Sequence, residues 1–130
     1  VEVIAEIKTG NAHIKKLSNG IVLFRHLDGV KNLKMNDFVE NYNGILSLQK
    51  SSISPLLGNV TNIEKVGNDA KAFMTKVLPN VSNALAFVNE NTNSVTTFTI
   101  NTYLYLHRPQ VPTKIFSSEK KAFEWLLEFA

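Results

Sequence analysis

The chain has 130 residues, 44% apolar and 19% charged, with no cysteine. That length buries enough surface for one domain to fold without a disulfide or metal staple, and the missing thiols exclude disulfides, thiolate metal sites and cysteine nucleophiles. A net charge of +3 is too mild to announce nucleic acid or an anionic membrane.

No apolar run approaches the ~20 residues of a bilayer span, and Val1-Glu2-Val3-Ile4 lacks the basic start of a signal peptide. The expectation is one cytoplasmic domain covering residues 1–130. In chain order, Val1 to Lys8 alternates apolar and polar residues, the mark of a strand with one buried face. Ile14-Lys15-Lys16-Leu17 is a second strand, Ser18-Asn19-Gly20 a turn, and Ile21-Val22-Leu23-Phe24 a third strand of the same antiparallel unit. Asn36 or Asp37 can cap a helix in which Phe38, Tyr42, Ile45 and Leu46 recur at spacings of three and four, ending near Ser51-Ser52. Leu56-Leu57 reads as a short buried strand leaving through Gly58-Asn59, and residues 60–67 as a loop. Asn68 or Asp69 then caps a helix with Ala70, Phe73, Met74, Val77 and Leu78 inward, which Pro79 stops. Ala84 to Val88 is a continuous apolar run, as in a strand covered on both faces.

Residues 92–107 favour both states. Thr96, Thr97, Thr99, Ile100, Thr102, Tyr103 and Tyr105 have strand propensity, whereas Val95, Phe98, Thr102, Tyr105 and Leu106 share one helical face, with Asn91, Thr92 or Asn93 as caps. Topology decides. If Ala84–Val88 and Lys114–Phe116 are parallel neighbours, the link between them is a right-handed crossover, so a helix is expected over residues 93–106. Thr113 to Phe116 is the last strand, and Ser117 or Ser118 caps a helix with Ala122, Phe123, Leu126, Leu127 and Phe129 in one stripe.

The ending Arg108-Pro109-Gln110-Val111-Pro112-Thr113-Lys114-Ile115-Phe116, with Ala122-Phe123-Glu124-Trp125-Leu126 behind it, resembles a family of small bacterial STAS-like domains related to anti-sigma-factor antagonists. Leu56-Leu57-Gly58-Asn59-Val60, Asn68 to Phe73 and Ala84 to Val88 extend the likeness over residues 14–130. It implies an α/β fold: a STAS-like mixed sheet of about five strands with four helices, antiparallel strands first and alternating β and α after them. It also implies a regulatory or scaffolding module rather than an enzyme. One departure matters. The antagonists carry an aspartate at the end of the central strand and a phosphorylated serine at the next helix start. Here Asn59 ends the strand, Lys65 and Gly67 stand where the hydroxyl is expected, and Thr61 is the loop's remaining hydroxyl. The phosphoserine switch is therefore not carried over.

His13, His26 and His107 have no partner at metal-ligand spacing, and no phosphate-binding glycine motif or nucleophile elbow occurs, so no metal, cofactor or catalytic residue is expected. Glu119, Glu124 and Glu128 read as a solvated face of the last helix beside Lys120 and Lys121. Lys15 and Lys16 fall on opposite strand faces, against a nucleic-acid footprint. The interaction surface is expected at Asn59, Thr61, Lys65 and Asn68, where a loop leaves a strand's carboxyl end and a helix begins. Tyr103, His107 and Arg108 are the alternative binding cluster. The expected function is a non-catalytic regulatory or protein-interaction module, its partner unspecified and self-association left open. The alternative is a binder of a lipid or other small apolar molecule, which calls for a cavity of several hundred Å³.

Overall fold

The computed structural model describes residues 1–91 and 94–130. The alternating first third folds as an antiparallel meander, β1 (Val3–Lys8), β2 (Ala12–Leu17) and β3 (Val22–His26). Gly20 supplies the turn's positive φ of 91°, and the Asn19 side chain accepts the Ile21 N–H at 3.1 Å. The β1–β2 turn is stapled to the first helix, α1 (Met35–Gln49). Gly10 N–H donates to Glu40 at 2.6 Å, while Asn41 donates to Asn11 and accepts from the Thr9 hydroxyl, both at 2.8 Å.

From β3 onward the strands run parallel. β3, β5 (Pro55–Asn59), β7 (Ala84–Val88) and β8 (Thr113–Phe116) complete a sheet of order β1-β2-β3-β5-β7-β8. The crossovers are α1, α2 (Asn68–Val77) and α3 (Ser94–His107), and stepping always to the next neighbour with one hand stacks them on one face. There Ile45, Leu78, Ile100 and Tyr103 pack with Ile14, Val22, Leu56, Leu85 and Phe87. The last helix, α4 (Glu119–Leu126), covers the opposite face with Ala122 and Leu126 against Leu23, Leu57, Ala86 and Val88. β5 and β7 are buried throughout, as their unbroken apolar runs require.

Several expectations change in detail. Among the described residues the main sheet has six strands rather than about five. Two further strands, β4 (Asn32–Leu33) and β6 (Lys65–Val66), form a parallel ribbon where residues 65 and 66 were expected in a loop. The carbonyl of Lys31 gathers the N–H groups of Glu64 and Lys65, so the ribbon is fixed by long-range backbone bonds, not by sequence period. Lys34, not Asn36 or Asp37, occupies the cap of α1, because the Asp37 carboxylate reaches back to the Lys34 N–H at 2.9 Å. Gly67 caps α2 in place of Asn68 or Asp69. Ser118 caps α4 as expected, its hydroxyl accepting the Lys121 N–H at 3.3 Å. Leu127 leaves the expected stripe and is exposed, since the chain tightens into a 3-10 turn after Leu126.

The contested segment is a helix, and β7 and β8 on either side of it are parallel neighbours. Its strand-favouring threonines have partners outside the helix. Thr96 donates to the Ile63 carbonyl at 2.7 Å, Thr99 to the Glu64 carbonyl at 3.0 Å, and Thr97 accepts from Asn89 at 3.1 Å. Tertiary bonds thus offset weak local propensity. The expected caps Thr92 and Asn93 lie outside the described residues. Asn91 donates to Asn62 at 2.7 Å.

Candidate functional site

The four parallel strands end side by side, and the residues leaving them line a polar cleft of about 290 Å³. β3 contributes Arg25 and His26, β5 contributes Asn59 with Thr61 behind it, Glu90 follows β7, and Glu119 opens α4 after β8. Arg25 and Asn59 are register partners on the α4 side of the sheet. The Arg25 guanidinium holds Glu119 in a two-pronged grip, Nε to Oε2 at 2.8 Å and Nη2 to Oε1. Asn59 Nδ2 donates to both Glu90 and Glu119 at 2.8 Å. Its Oδ1 accepts the Thr61 hydroxyl at 2.7 Å and the Thr61 N–H at 3.1 Å, and the Thr61 oxygen accepts the Glu90 N–H at 3.0 Å.

This is a closed network. The bond from Arg25, joined by that from Asn59, holds the Glu119 carboxyl below its ordinary range, and Glu119 in turn raises Arg25. Both groups therefore stay charged at neutral pH. A proton-transfer catalyst needs a group poised near the working pH, which an ionised carboxylate locked to arginine is not. His26 lies at the cleft's inner wall, edge-on to Phe24 at 4.8 Å. Burial pushes its pKa down to about 4, partly opposed by a hydrogen bond to the Asn11 backbone. Among the described residues no three His, Asp or Glu side chains converge as a metal site.

The site residues read from sequence thus separate. Asn59 is buried and Thr61 half-buried within the network, whereas Lys65 on β6 and Asn68 at the start of α2 are exposed outside the cleft. The alternative cluster divides as well. Tyr103 turns into the core, 3.0 Å from the Thr75 hydroxyl and 6.1 Å edge-on from Phe87, with His107 stacked on it at 5.3 Å. Arg108 instead lies over the Tyr105 ring at 5.9 Å, out in solvent. Sequence reasoning placed Glu119 on a solvated face. Its partner Arg25 lies 94 positions away, and only the parallel register brings them together.

The largest departure concerns α3. The face shared by Val95, Phe98, Thr102, Tyr105 and Leu106 points outward, while Thr96, Ile100 and Tyr103 are the buried set. Phe98 and Tyr105 are each 72% exposed, Leu106 65% and Val95 49%. An apolar stripe of this extent is more than the isolated exposed residues of an ordinary surface. Beneath the helices, Phe24, Tyr42, Phe73, Phe87 and Ile100 are among the residues lining an apolar cavity of about 120 Å³.

Comparison with known proteins gives the fold a name. A crystal structure of an uncharacterized protein of the DUF3478 family with a SpoIIAA-like fold, from Shewanella loihica PV-4, superposes with a TM-score of 0.58 at 14% identity, covering 94% of this chain and 90% of that one. The fold is thus SpoIIAA-like, the STAS-like architecture of anti-sigma-factor antagonists. The chain belongs to the family described as domain of unknown function DUF7793, whose model matches residues 15–130. No curated protein matches it.

Proposed function

We propose that this domain is a non-catalytic regulatory or protein-interaction module of the STAS-like kind, acting in the cytoplasm without a phosphoserine switch and recognising its partner through the outward face of α3. The observation that carries this reading is the uncovered stripe of Val95, Phe98, Tyr105 and Leu106. Aromatic side chains in such a setting provide large, rigid contact area. The bonds among Arg25, Asn59, Thr61, Glu90 and Glu119 support a structural role for Asn59 and Thr61, and Lys65 and Asn68 add no apolar surface to the stripe. The test is capture of proteins from the native organism's lysate by the full chain and by Phe98→Asp. Loss of a captured partner by Phe98→Asp at unchanged melting temperature supports the reading. Equal capture by both proteins contradicts it.

The apolar cavity favours a second reading, a small apolar ligand. Its volume of about 120 Å³ falls short of the several hundred Å³ a lipid chain calls for and suits a group the size of a benzene ring. Saturating benzene would then raise the melting temperature of the wild type, as any ligand of the folded state does. An unchanged melt removes this reading.

A further inference from the structure

We infer that the apolar cavity beneath the helices takes a small monocarboxylate, hydrocarbon inside and carboxylate at the Lys71 ammonium; this rests on the reading of that cavity as a ligand site. The first support is charge. Among the described residues lining the cavity none is Asp, Glu or Arg, and Lys71 is the one lysine. His26, also in the wall, is held neutral at pH 7 by burial. An apolar wall with one cation set in it suits a ligand with one negative end, since that end gives up hydration only where a charged donor replaces it. A dianion such as a phosphate monoester would keep a second charge unpaired.

The second support is that this cation is unspent. Lys71 is half-buried near the start of α2, and among the described residues its ammonium has neither an ion pair nor a hydrogen bond. Its neighbours one turn away, Gly67, Asn68, Met74 and Thr75, include no acid to engage it. Uncharged polar groups in the wall are committed by contrast. Tyr103 is bonded to Thr75, Thr96 to the Ile63 carbonyl, Thr99 to the Glu64 carbonyl and Asn41 to Asn11. A lysine stem along an apolar wall keeps its head at the water boundary, which sets the carboxylate at the mouth.

The third support is place and size. Thr75 follows Lys71 by one helical turn and meets Tyr103 of α3, so Lys71 stands on the flank of α2 turned toward α3. Both helices line the cavity, through Met74 and Ile100 among others. Its volume of about 120 Å³ compares with the roughly 150 Å³ of an apolar cavity that takes benzene, so one ring fits. The ligand is therefore of benzoate size, not a long-chain acid.

The chain has two methionines, Met35 and Met74, and Met74 is the one that lines the cavity. NMR of the full chain with methyl-labelled methionine thus reads occupancy at that place. Benzoate should move the Met74 methyl signal and leave Met35 unchanged, with a Kd on the order of 1 mM. Benzyl alcohol, the same ring without the charge, should bind ~10-fold more weakly, and benzylammonium more weakly still. Lys71→Gln should weaken benzoate ~10-fold at unchanged melting temperature and leave benzyl alcohol as it was, whereas Lys71→Arg should retain benzoate. The comparison of three ligands on the wild type needs no variant and decides the matter even where Lys71→Gln alters the fold. Benzyl alcohol binding as tightly as benzoate, or benzoate indifferent to Lys71→Gln, overturns the inference and leaves the cavity reading standing. Benzoate that moves Met35 and not Met74 overturns it as well. If benzoate, benzyl alcohol and benzene all leave Met74 unmoved, the inference and the cavity reading fall together.

Discussion

At the end of β5 one carboxamide serves four groups. Asn59 donates to two carboxylates and accepts twice from Thr61, an arrangement that requires a donor and an acceptor on the same side chain. Asn59→Asp keeps the acceptor, removes both donors and adds a negative charge beside Glu90 and Glu119. The variant should lose about 2–4 kcal/mol at pH 7. Repulsion raises the new carboxyl's folded pKa above its unfolded value, so the loss should shrink as pH falls and grow as pH rises. Urea unfolding at pH 4 and pH 7 checks both size and sign. His26 sets a second pH dependence. Its folded pKa of about 4 lies below the ordinary 6.5, so between these values the unfolded chain binds the proton and the folded one does not. Stability should therefore hold above pH 6.5 and fall by up to about 3 kcal/mol as pH drops to 4. Glu119, also depressed, adds loss in the same direction at lower pH, below the ordinary 4.5. His26→Gln should flatten the slope between pH 6.5 and 4 and leave the Glu119 contribution in place. An unchanged slope would contradict the burial of the imidazole.

Among the elements, α4 and α3 are opposites. α4 is short, yet Ala122 and Leu126 are fully buried against β5 and β7. Leu126→Ala should cost about 2–5 kcal/mol, the range for a large side chain removed from a close-packed core. Truncation after Ser117 bares the whole Leu57–Ala86–Val88 surface and should abolish cooperative unfolding in calorimetry. A wild-type melt from the truncated chain would show α4 to be dispensable. α1 is held differently, by close approach. A Cβ at Gly44 would lie 3.3 Å from Ile14 and 3.5 Å from Ile7, so Gly44→Val should cost about 1–3 kcal/mol by forcing the helix off the sheet. Periodicity made most of these elements legible. The alternation of residues 3–8, the apolar run 84–88 and the Ser118 cap are all local signals, and the crossover rule broke the tie for a helix expected over residues 93–106, where α3 spans Ser94–His107. The β4–β6 ribbon was not legible, because two-residue strands have no period. Nor was the cap of α1, where Asp37 acts from three residues inside the helix. For α3, the pattern put Val95, Phe98, Thr102, Tyr105 and Leu106 on one helical face, but the side turned to the protein is set by threonines whose partners, Ile63 and Glu64, lie over thirty residues upstream. The site was legible in fewer places still. Asn59 and Thr61 stood out because they sit at a strand's carboxyl end, but Arg25 and Glu119 are joined only by tertiary register.

For the molecule as a whole, the sheet divides stability from recognition. At the carboxyl edge Arg25, Asn59, Thr61, Glu90 and Glu119 bond to one another, and the helical layer carries the exposed apolar surface. Variants of the two regions should accordingly behave in opposite ways. Asn59→Asp should lower the melting temperature and retain the partner, whereas Phe98→Asp should retain the melting temperature and lose the partner. Val95, Phe98, Tyr105 and Leu106 together remove roughly 450 Å² of apolar surface from water when covered, which at ~25 cal/mol per Å² is about 11 kcal/mol before the costs of association are subtracted. That gross figure is ample for a reversible complex. The most direct measurement of where recognition lies is hydrogen exchange at the amides of α3 in the full chain, with and without its bound partner at saturation. Protection rising over Val95–Leu106, and little changed at Asn59–Thr61, is the predicted result. Protection gained around Asn59, Lys65 and Asn68 with α3 unaffected would contradict it.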